Sequence, residues 1–465
     1  MLKDGILDLK KLDLSAKTVL TERQKMVFFL LALIYMFFLD TYLDATAYWT
    51  MIVFNCAYFF TSNYRLAHII MGVKLYNFQQ KERNPFFLTD DQLPTYTILV
   101  PLFHESSIIP SLINALCAFD YPKEKLQILI ILEEEDKETL AAIEKNGLPS
   151  HFQTVIVPKS EPQTKPKACN YAMQFATGEL TCIYDAEDRP DSLQLKIVAN
   201  KFAVSDKRIS CLQCRLFFYN GHENLLTSMF EIEYQGYYNF ILPIATYFKY
   251  PLPLGGSSNH FKTDYLIEIG GWDPHNVTED ADLGMKFAML GRTAKIIYSF
   301  TKEEAPITVA AWLPQRVRWL KGFFHTCFIY FRHPIQVMKS FKLKGVAFFL
   351  YILCLSPFLM ITSPVVLILS AATYLSFFDF SASTNLMLIL LSWVNFVSTI
   401  MSTLLTSYMV LSIHGHRYLR WRWMFFILYA FLLVYAAIIA IFKLFKEPHK
   451  WDKTTHGVTK VKIEN

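Results

Sequence analysis

Four short stretches of this 465-residue chain carry side chains with chemistry to offer. Asp185–Asp188 (DAED) presents Asp185 and Glu187 as alternating carboxylates, with Asp188 beside them. Hard oxygen ligands of that kind hold Mg2+ or Mn2+, usually as one or two carboxylates joined by the phosphates of a substrate. Upstream, Lys165 and Lys167 (TKPKACN) offer positive charge to a diphosphate. A metal with lysines suits a pyrophosphate leaving group, on which charge builds as its bond breaks. Asn276–Leu283 (NVTEDADL) sets Glu279 and Asp280 just before an apolar helical pattern that runs to Leu290. A carboxylate anchored there is placed to act as a general base toward an attacking hydroxyl. Trp312–Lys321 (WLPQRVRWLK) combines Arg316, Arg318 and Lys321 with Trp312 and Trp319, a mixture that stacks on a sugar ring and holds phosphate.

Each stretch also has a plainer use. Three acids in a loop make a solvated turn, Thr278 or Asp280 makes a helix N-cap, and the Trp–Arg segment makes an interfacial helix with snorkelling basic residues. The co-occurrence of acidic and basic motifs is what favours chemistry. Leu254–Phe261 (LGGSSNHF) adds backbone freedom and small polar groups where a substrate could approach closely.

The elements that must position these residues are short β-rich runs alternating with helical patterns. Tyr96–Val100, Leu126–Leu132, Phe152–Val157 and Leu180–Tyr184 read as buried strands of a parallel sheet, and Ile108–Phe119, Lys137–Lys145, Lys167–Phe175 and Leu193–Val204 as the helices between them. The class is α/β with helices on both faces. Ligands of such sheets bind beyond the carboxyl ends of the strands, where Pro101–Ser106 (PLFHES), Glu133–Asp136 (EEED) and DAED fall. No GxGxxG follows a strand, so a dinucleotide site has little support.

The chain is 53% hydrophobic and 18% charged, and the apolar excess is concentrated. From Gly345 to Gly415 the single formally charged side chain is Asp379. Met26–Leu39 and Ala45–Tyr64 form two further uncharged runs, and Met424–Phe442 a last one. A signal peptide is disfavoured because no small-residue cleavage site follows the first run and a second comes at once. These patterns predict a cytosolic N-terminus at 1–25, a transmembrane hairpin at 26–64, a cytosolic catalytic domain at 94–311, interfacial helices at 312–340, transmembrane or interfacial helices at 345–445 and a cytosolic tail at 446–465. Basic residues just after the second run place the large domain inside. Three full C-terminal spans would put the basic tail outside, so either 345–378 is a broken or re-entrant pair or the last run lies along the interface. The net charge of +5 follows from the inside bias, and nucleic-acid binding is not indicated. The eight cysteines sit mostly in apolar contexts, as expected of reduced buried thiols, and the CxxC at Cys211 and Cys214 lacks a second pair for zinc.

In order and spacing, these motifs resemble those of inverting family 2 glycosyltransferases. QRVRW with flanking membrane helices is similar to the processive branch of cellulose, chitin and hyaluronan synthases. LEEEDKET, KPKACNYA, YDAEDRPD, LGGSSNHF, GGWDPHNVTEDADLG and WDKTTHG resemble a bacterial group related to cellulose synthases and implicated in exopolysaccharide production. The resemblance covers about residues 94–330. It implies a GT-A domain, with a mixed and mainly parallel sheet, inserted between N- and C-terminal transmembrane helices. Glu105 and an acid of Glu133–Glu134 would line the uridine pocket, with Lys167 near the nucleotide. Asp185 and Glu187 would hold Mg2+ or Mn2+ and the diphosphate, Asp280 would be the catalytic base, and Gln315, Arg316 and Arg318 would approach the diphosphate. Gly256, Ser257, Glu279 and Trp319 would face the acceptor, and Lys453, Thr454 and His456 would belong to a gating segment. Glu105 stands where many members have Asp-Asp, and Glu187 replaces a second Asp; each Glu reaches one methylene further.

The resulting expectation is a multi-pass enzyme of the bacterial inner membrane with its catalytic domain in the cytosol. It would transfer a hexose from a nucleotide sugar, most simply UDP-linked, to a β-glycan acceptor, with export or regulatory subunits as further partners beside the bilayer. The rivals are a non-processive transferase acting on a membrane lipid and a catalytically silent subunit that binds nucleotide sugar.

Overall fold

In the computed structural model, residues 2–3, 6–7, 12–81, 87–375, 382–413, 421–451 and 459 are described. Between apolar helices lies an eight-stranded sheet: β1 (Tyr96–Leu102), β2 (Leu126–Glu133), β3 (Phe152–Val157), β4 (Leu180–Ile183), β5 (Arg189–Pro190), β6 (Ile209–Phe218), β7 (Asn259–Lys262) and β8 (Thr293–Glu303). The strand order is β3-β2-β1-β4-β7-β6-β8-β5. Pairing is parallel except where β7 runs antiparallel to β4 and β6, and β5 to β8. The sheet is mixed and mainly parallel, as expected.

The apolar runs bury both faces because successive side chains alternate across a strand. Leu99, Leu129 and Ile131 enter one core, and Ile98, Val100, Ile128 and Ile130 the other. The second core is closed by α3 (Ile109–Cys117) and α6 (Gln194–Ala203) through Leu112, Leu116, Leu195 and Val198. Ile143 of α4 (Lys137–Asn146) joins this second core, whereas Ala168, Cys169 and Ala172 of α5 (Lys165–Ala172) enter the first, and the four expected crossover helices appear within a few residues of their sequence limits.

Among the described residues, four helical stretches are long and apolar enough to cross a bilayer: Glu22–Thr41, Pro334–Val366, Leu386–Leu411 and Arg422–Lys446. The first is α1, whose side chains are all outside the core. The expected second N-terminal run, 45–64, lies in α2 (Leu43–Lys81), which is not among those four. Its polar residues are matched by α14 (Ala382–Ile413): Asn395 donates to Asn55 Oδ1 at 2.7 Å, and Ser62 meets Thr399 at 2.9 Å. With 39 residues, α2 is roughly 58 Å long and continues onto the domain. There Ile69 and Tyr76 are buried, and Gly72 passes so close to Phe240 that a Cβ would lie 2.5 Å from its carbonyl oxygen.

The C-terminal block takes a simpler path than a re-entrant pair. α12 (Pro334–Phe349) is kinked at Lys342, whose φ is 58°, and from there one helical run passes through a π-helical turn at Leu350–Leu355 into α13 (Ser356–Tyr374). The last apolar run, α15 (Phe426–Lys446), lies against α11 (Val309–Tyr330). Arg422 donates to the carbonyls of His222 and Asn224 before this helix, and buried Lys321 donates to those of Glu447 and Lys450 after it, at 2.9 and 3.0 Å. The segments at both ends of α15 therefore meet the α/β domain and α11. Cys327 and Cys354, expected as thiols, are joined in a disulfide between α11 and the π-helical turn, with Cα atoms 5.8 Å apart.

Candidate active site

The carboxyl ends of β1, β2 and β4 open onto one cavity of about 1030 Å3. Asp185 follows β4 after a single residue, Tyr184. Asp188 folds the turn back on itself, its Oδ2 accepting the Asp185 N–H at 2.7 Å and the Ser257 hydroxyl. That clasp ties DAED to the LGGSS loop and leaves Asp185 and Glu187 on the cavity wall.

A second set of bonds brings in the lysine helix and the TED segment. Asn170 of α5 exchanges hydrogen bonds with the backbone of Trp272, at 2.7 and 3.0 Å, and Thr164 Oγ1 donates to Pro274 O at 2.9 Å. Gly271 permits this approach: its φ is +70°, and a Cβ would lie 2.2 Å from Asn170 Oδ1. The loop then enters α10 (Glu279–Met289), whose first two residues are buried on the same cavity. Lys165 spans the two acidic centres, its Nζ 2.5 Å from Asp185 Oδ1 and 2.7 Å from Gly256 O. A Cβ on Gly256 would in turn lie 3.6 Å from Asp280 Oδ2.

Charge is concentrated here. Burial, then the Asp185 and Glu105 charges, push the Glu187 carboxyl up to about 8. Burial and neighbouring Glu279 hold Asp280 well above the usual aspartate range, and Asp188 and Glu303 are raised by burial and by acids of the DAED turn. Burial alone would lower Lys165, but Asp185, Asp280 and Glu279 together hold its ammonium above an ordinary lysine. Arg318 is lowered by burial against the pull of the same three acids.

These groups fit a divalent cation that arrives with a diphosphate. Among the described residues no three His, Cys, Asp or Glu side chains converge into a complete cage. Asp188 Oδ1, Glu279 Oε1 and Asp280 Oδ1 are buried and take no hydrogen bond from the described residues. One or two carboxylates facing a cavity, with further ligands left to phosphate and water, is the usual arrangement for Mg2+.

Of the residues expected at the site, Glu105, Glu133, Asp185, Glu187, Gly256, Glu279, Asp280, Gln315, Arg316, Arg318 and Trp319 line this cavity. Glu134, Lys167 and Ser257 stand behind the wall. Glu134 accepts the Lys159 N–H at 3.3 Å, Lys167 is spent on Glu133 at 2.9 Å, and buried Ser257 holds Asp188. Lys453, Thr454 and His456 lie outside the described residues. Arg316 and Arg318, two positions apart, have different surroundings: Arg316 binds Glu233 at 2.5 Å, whereas the Arg318 guanidinium lies 4.2 Å from the centre of the Trp451 ring.

Lys165 is one residue whose weight the motifs understated; its spacing from Lys167 was visible, its partner was not. Others come from α7 (Leu225–Gly236) and the π-helical turn Tyr237–Ile241, where Glu233, Tyr234, Tyr237 and Tyr238 line the cavity. Tyr234 stacks on Trp319 with ring centres 6.0 Å apart. Glu303, at the end of β8, accepts from the Tyr234 hydroxyl at 3.2 Å; the acidic pair ahead of Ala305 was its one sequence signal.

Residues 94–322 match the family model described as glycosyltransferase like family 2. The protein named "Probable glycosyltransferase YdaM" of Bacillus subtilis (strain 168) is 23% identical over 382 residues, covering 78% of this chain and 87% of that one. The cellulose synthase catalytic subunit (UDP-forming) of Pseudomonas fluorescens (strain SBW25) is 26% identical over 253 residues, 52% of this chain and 33% of that one. Glucomannan 4-beta-mannosyltransferase 1 of Oryza sativa subsp. japonica is 24% identical over 278 residues, 55% and 52% respectively. The chain thus spans about half or less of those last two relatives. Among solved structures, the mannosyltransferase PcManGT from Pyrobaculum calidifontis, in complex with GDP-Man and Mn2+, is 18% identical, covers 78% of this chain and 99% of that one, and has a TM-score of 0.48. Over residues 94–322, just under half of the chain, the sequence is thus similar to family 2 glycosyltransferases, in keeping with the GT-A fold of its mixed, mainly parallel sheet, and long apolar helices flank this stretch.

Proposed function

We propose that this chain is a membrane glycosyltransferase that transfers a hexose from a nucleotide sugar, with inversion, to the end of a growing β-glycan. The observation that carries the reading is the continuity of one cavity. It runs from Asp185 and Asp280, past Trp319, to Thr61 and Ser62 of α2, Met360 of α13, Thr399 and Thr403 of α14 and Val434 of α15. A product leaving the catalytic carboxylates has a path between apolar helices. The catalytic domain sits on the cytosolic side of the bacterial inner membrane, and α15 lies along the interface rather than crossing, which keeps the tail with the domain.

In this reading Asp280 accepts the proton of an acceptor hydroxyl. The freed oxygen attacks the anomeric carbon from the face opposite the diphosphate, the glycosidic C–O bond breaks, and the electron pair leaves with the diphosphate. A Mg2+ or Mn2+ ion held by Asp185 and Glu187 supplies charge neutralisation on the leaving group. Arg318 adds a fixed positive charge, and Trp319 with Tyr234 gives the acceptor ring a flat apolar face. Raised by burial, Asp280 is a stronger base than an ordinary aspartate once ionised, as a general base near neutral pH requires.

A second reading is favoured by the apolar residues Ile352, Leu359, Leu433 and Val434 on the same wall, which suit a lipid-borne acceptor. Membranes containing the protein, supplied with radiolabelled UDP- and GDP-hexoses and Mn2+ or Mg2+, separate the two. A polymer that is lost with Asp280→Asn supports the β-glycan reading; one sugar on an extractable lipid replaces it.

A further inference from the structure

Asp185 cannot serve a metal and Lys165 in the same way at once. The Lys165 ammonium lies 2.5 Å from Asp185 Oδ1, is mostly buried, and donates a second bond to Gly256 O. The other lysine of the motif is committed to Glu133, on a different strand end. Lys165 is thus the lysine placed among Asp185, Glu279 and Asp280, on the wall where a donor diphosphate would lie.

Resting on the metal-dependent transferase reading above, we propose that Lys165 is a displaceable counter-ion. In the donor-free protein it occupies Asp185 and keeps free divalent metal out, and on arrival of the metal with a diphosphate it releases Asp185 and turns to phosphate oxygen. The physical basis is exchange of partners. A carboxylate desolvated among other acids needs a cation, and the ammonium is tethered there at high effective concentration. Metal alone must displace that ammonium from its shortest ion pair without offering it a new anion, whereas metal with a diphosphate supplies one. Metal and nucleotide then strengthen each other's binding, and the coupling is reciprocal. Gly256 lies beside Asp280, so the anchor of the Lys165 side chain stays near the base throughout the exchange.

The test is Mn2+ binding to the detergent-solubilised full chain, read from the EPR signal of free Mn2+, with and without UDP or GDP and without turnover. Wild-type protein is expected to bind Mn2+ weakly alone and at least tenfold more tightly with nucleoside diphosphate. Lys165→Met is expected to bind Mn2+ alone at least tenfold more tightly than wild type and to lose most of the nucleotide enhancement. Lys165→Arg keeps the cation and should behave as wild type; Lys167→Met, whose partner is Glu133, should leave nucleotide-free Mn2+ affinity unchanged. Equal or weaker nucleotide-free binding in Lys165→Met overturns the proposal. So does tight binding in Lys165→Arg, which also covers the case of a Met variant that fails to fold. If no variant takes up Mn2+ even with nucleotide, the metal-dependent reading itself fails, a result distinct from unchanged affinity in Lys165→Met.

Discussion

The two ends of the cavity are built on opposite principles. At the strand ends, charged side chains are held by backbone bonds over short loops: Asp188 clasps the DAED turn, and Asn170 pins the loop that leads to TED. Toward the apolar helices, the wall comes from hydroxyls and aliphatic groups on α2, α13, α14 and α15. The first end sets chemistry through a few fixed charges in a buried place, where each counts heavily. The second sets a passage through packing, where no single group dominates. A side-chain change should therefore be severe at the first end and graded at the second.

The strongest test of that contrast is Asp280→Asn, which removes the proposed base while keeping shape. It is expected to lower kcat by about 10²–10⁴ with little change in donor KM. The same carboxyl predicts a pH dependence. Because burial and Glu279 raise its pKa, activity should be lost as pH falls through a value above that of an ordinary aspartate, and that acid limb should vanish from the residual activity of the variant. Arg318→Ala should lower kcat by about 10²-fold as a lost electrostatic stabiliser. If Arg316→Ala lowers kcat equally, the contrast between the two arginines is wrong.

Effects shrink toward the membrane end. Gly72→Ala forces a Cβ onto the Phe240 backbone where α2 meets the domain, and should cost about 1–3 kcal/mol of stability, read as a lower Tm, with kcat retained in the folded fraction. Glu233→Gln removes the charge that pairs with Arg316 and accepts from Tyr429 at 2.7 Å. A several-fold rise in acceptor KM, or a shift in product length, is expected with donor affinity unchanged. A loss as large as that of Asp280→Asn would mean that both ends take part in chemistry.

Much of this organisation was legible from local pattern. Runs such as LQILIIL are buried on both faces and could only be interior strands, so four strands, their crossover helices and the acidic strand ends were found near their observed limits. The antiparallel β7 was not foreseen, because LGGSSNHF reads as a loop and becomes a strand only between β4 and β6. The re-entrant pair was one of two options because prolines mark a break without stating its form; the helices show a kink at Lys342 and a π-helical turn at Leu350–Leu355. The route of α15 was ambiguous for a related reason: composition tells that a helix is apolar and not which surface it follows, and its course along the interface is part of the function proposed above.

By itself, the sequence determined the α/β class, the apolar flanks and the acidic and basic motifs, since burial periodicity and charge depletion are properties of short windows. The tertiary structure alone decided which charges meet. Lys165 and Asp185 are 20 positions apart, and Arg316 and Glu233 are 83 apart. Two lysines separated by one proline look alike in a motif. The bonds of Asn170 and Thr164 to the loop before TED orient their helix so that one reaches Asp185 and the other Glu133. Pairings of that kind depend on the packing of the whole domain, which no local window contains.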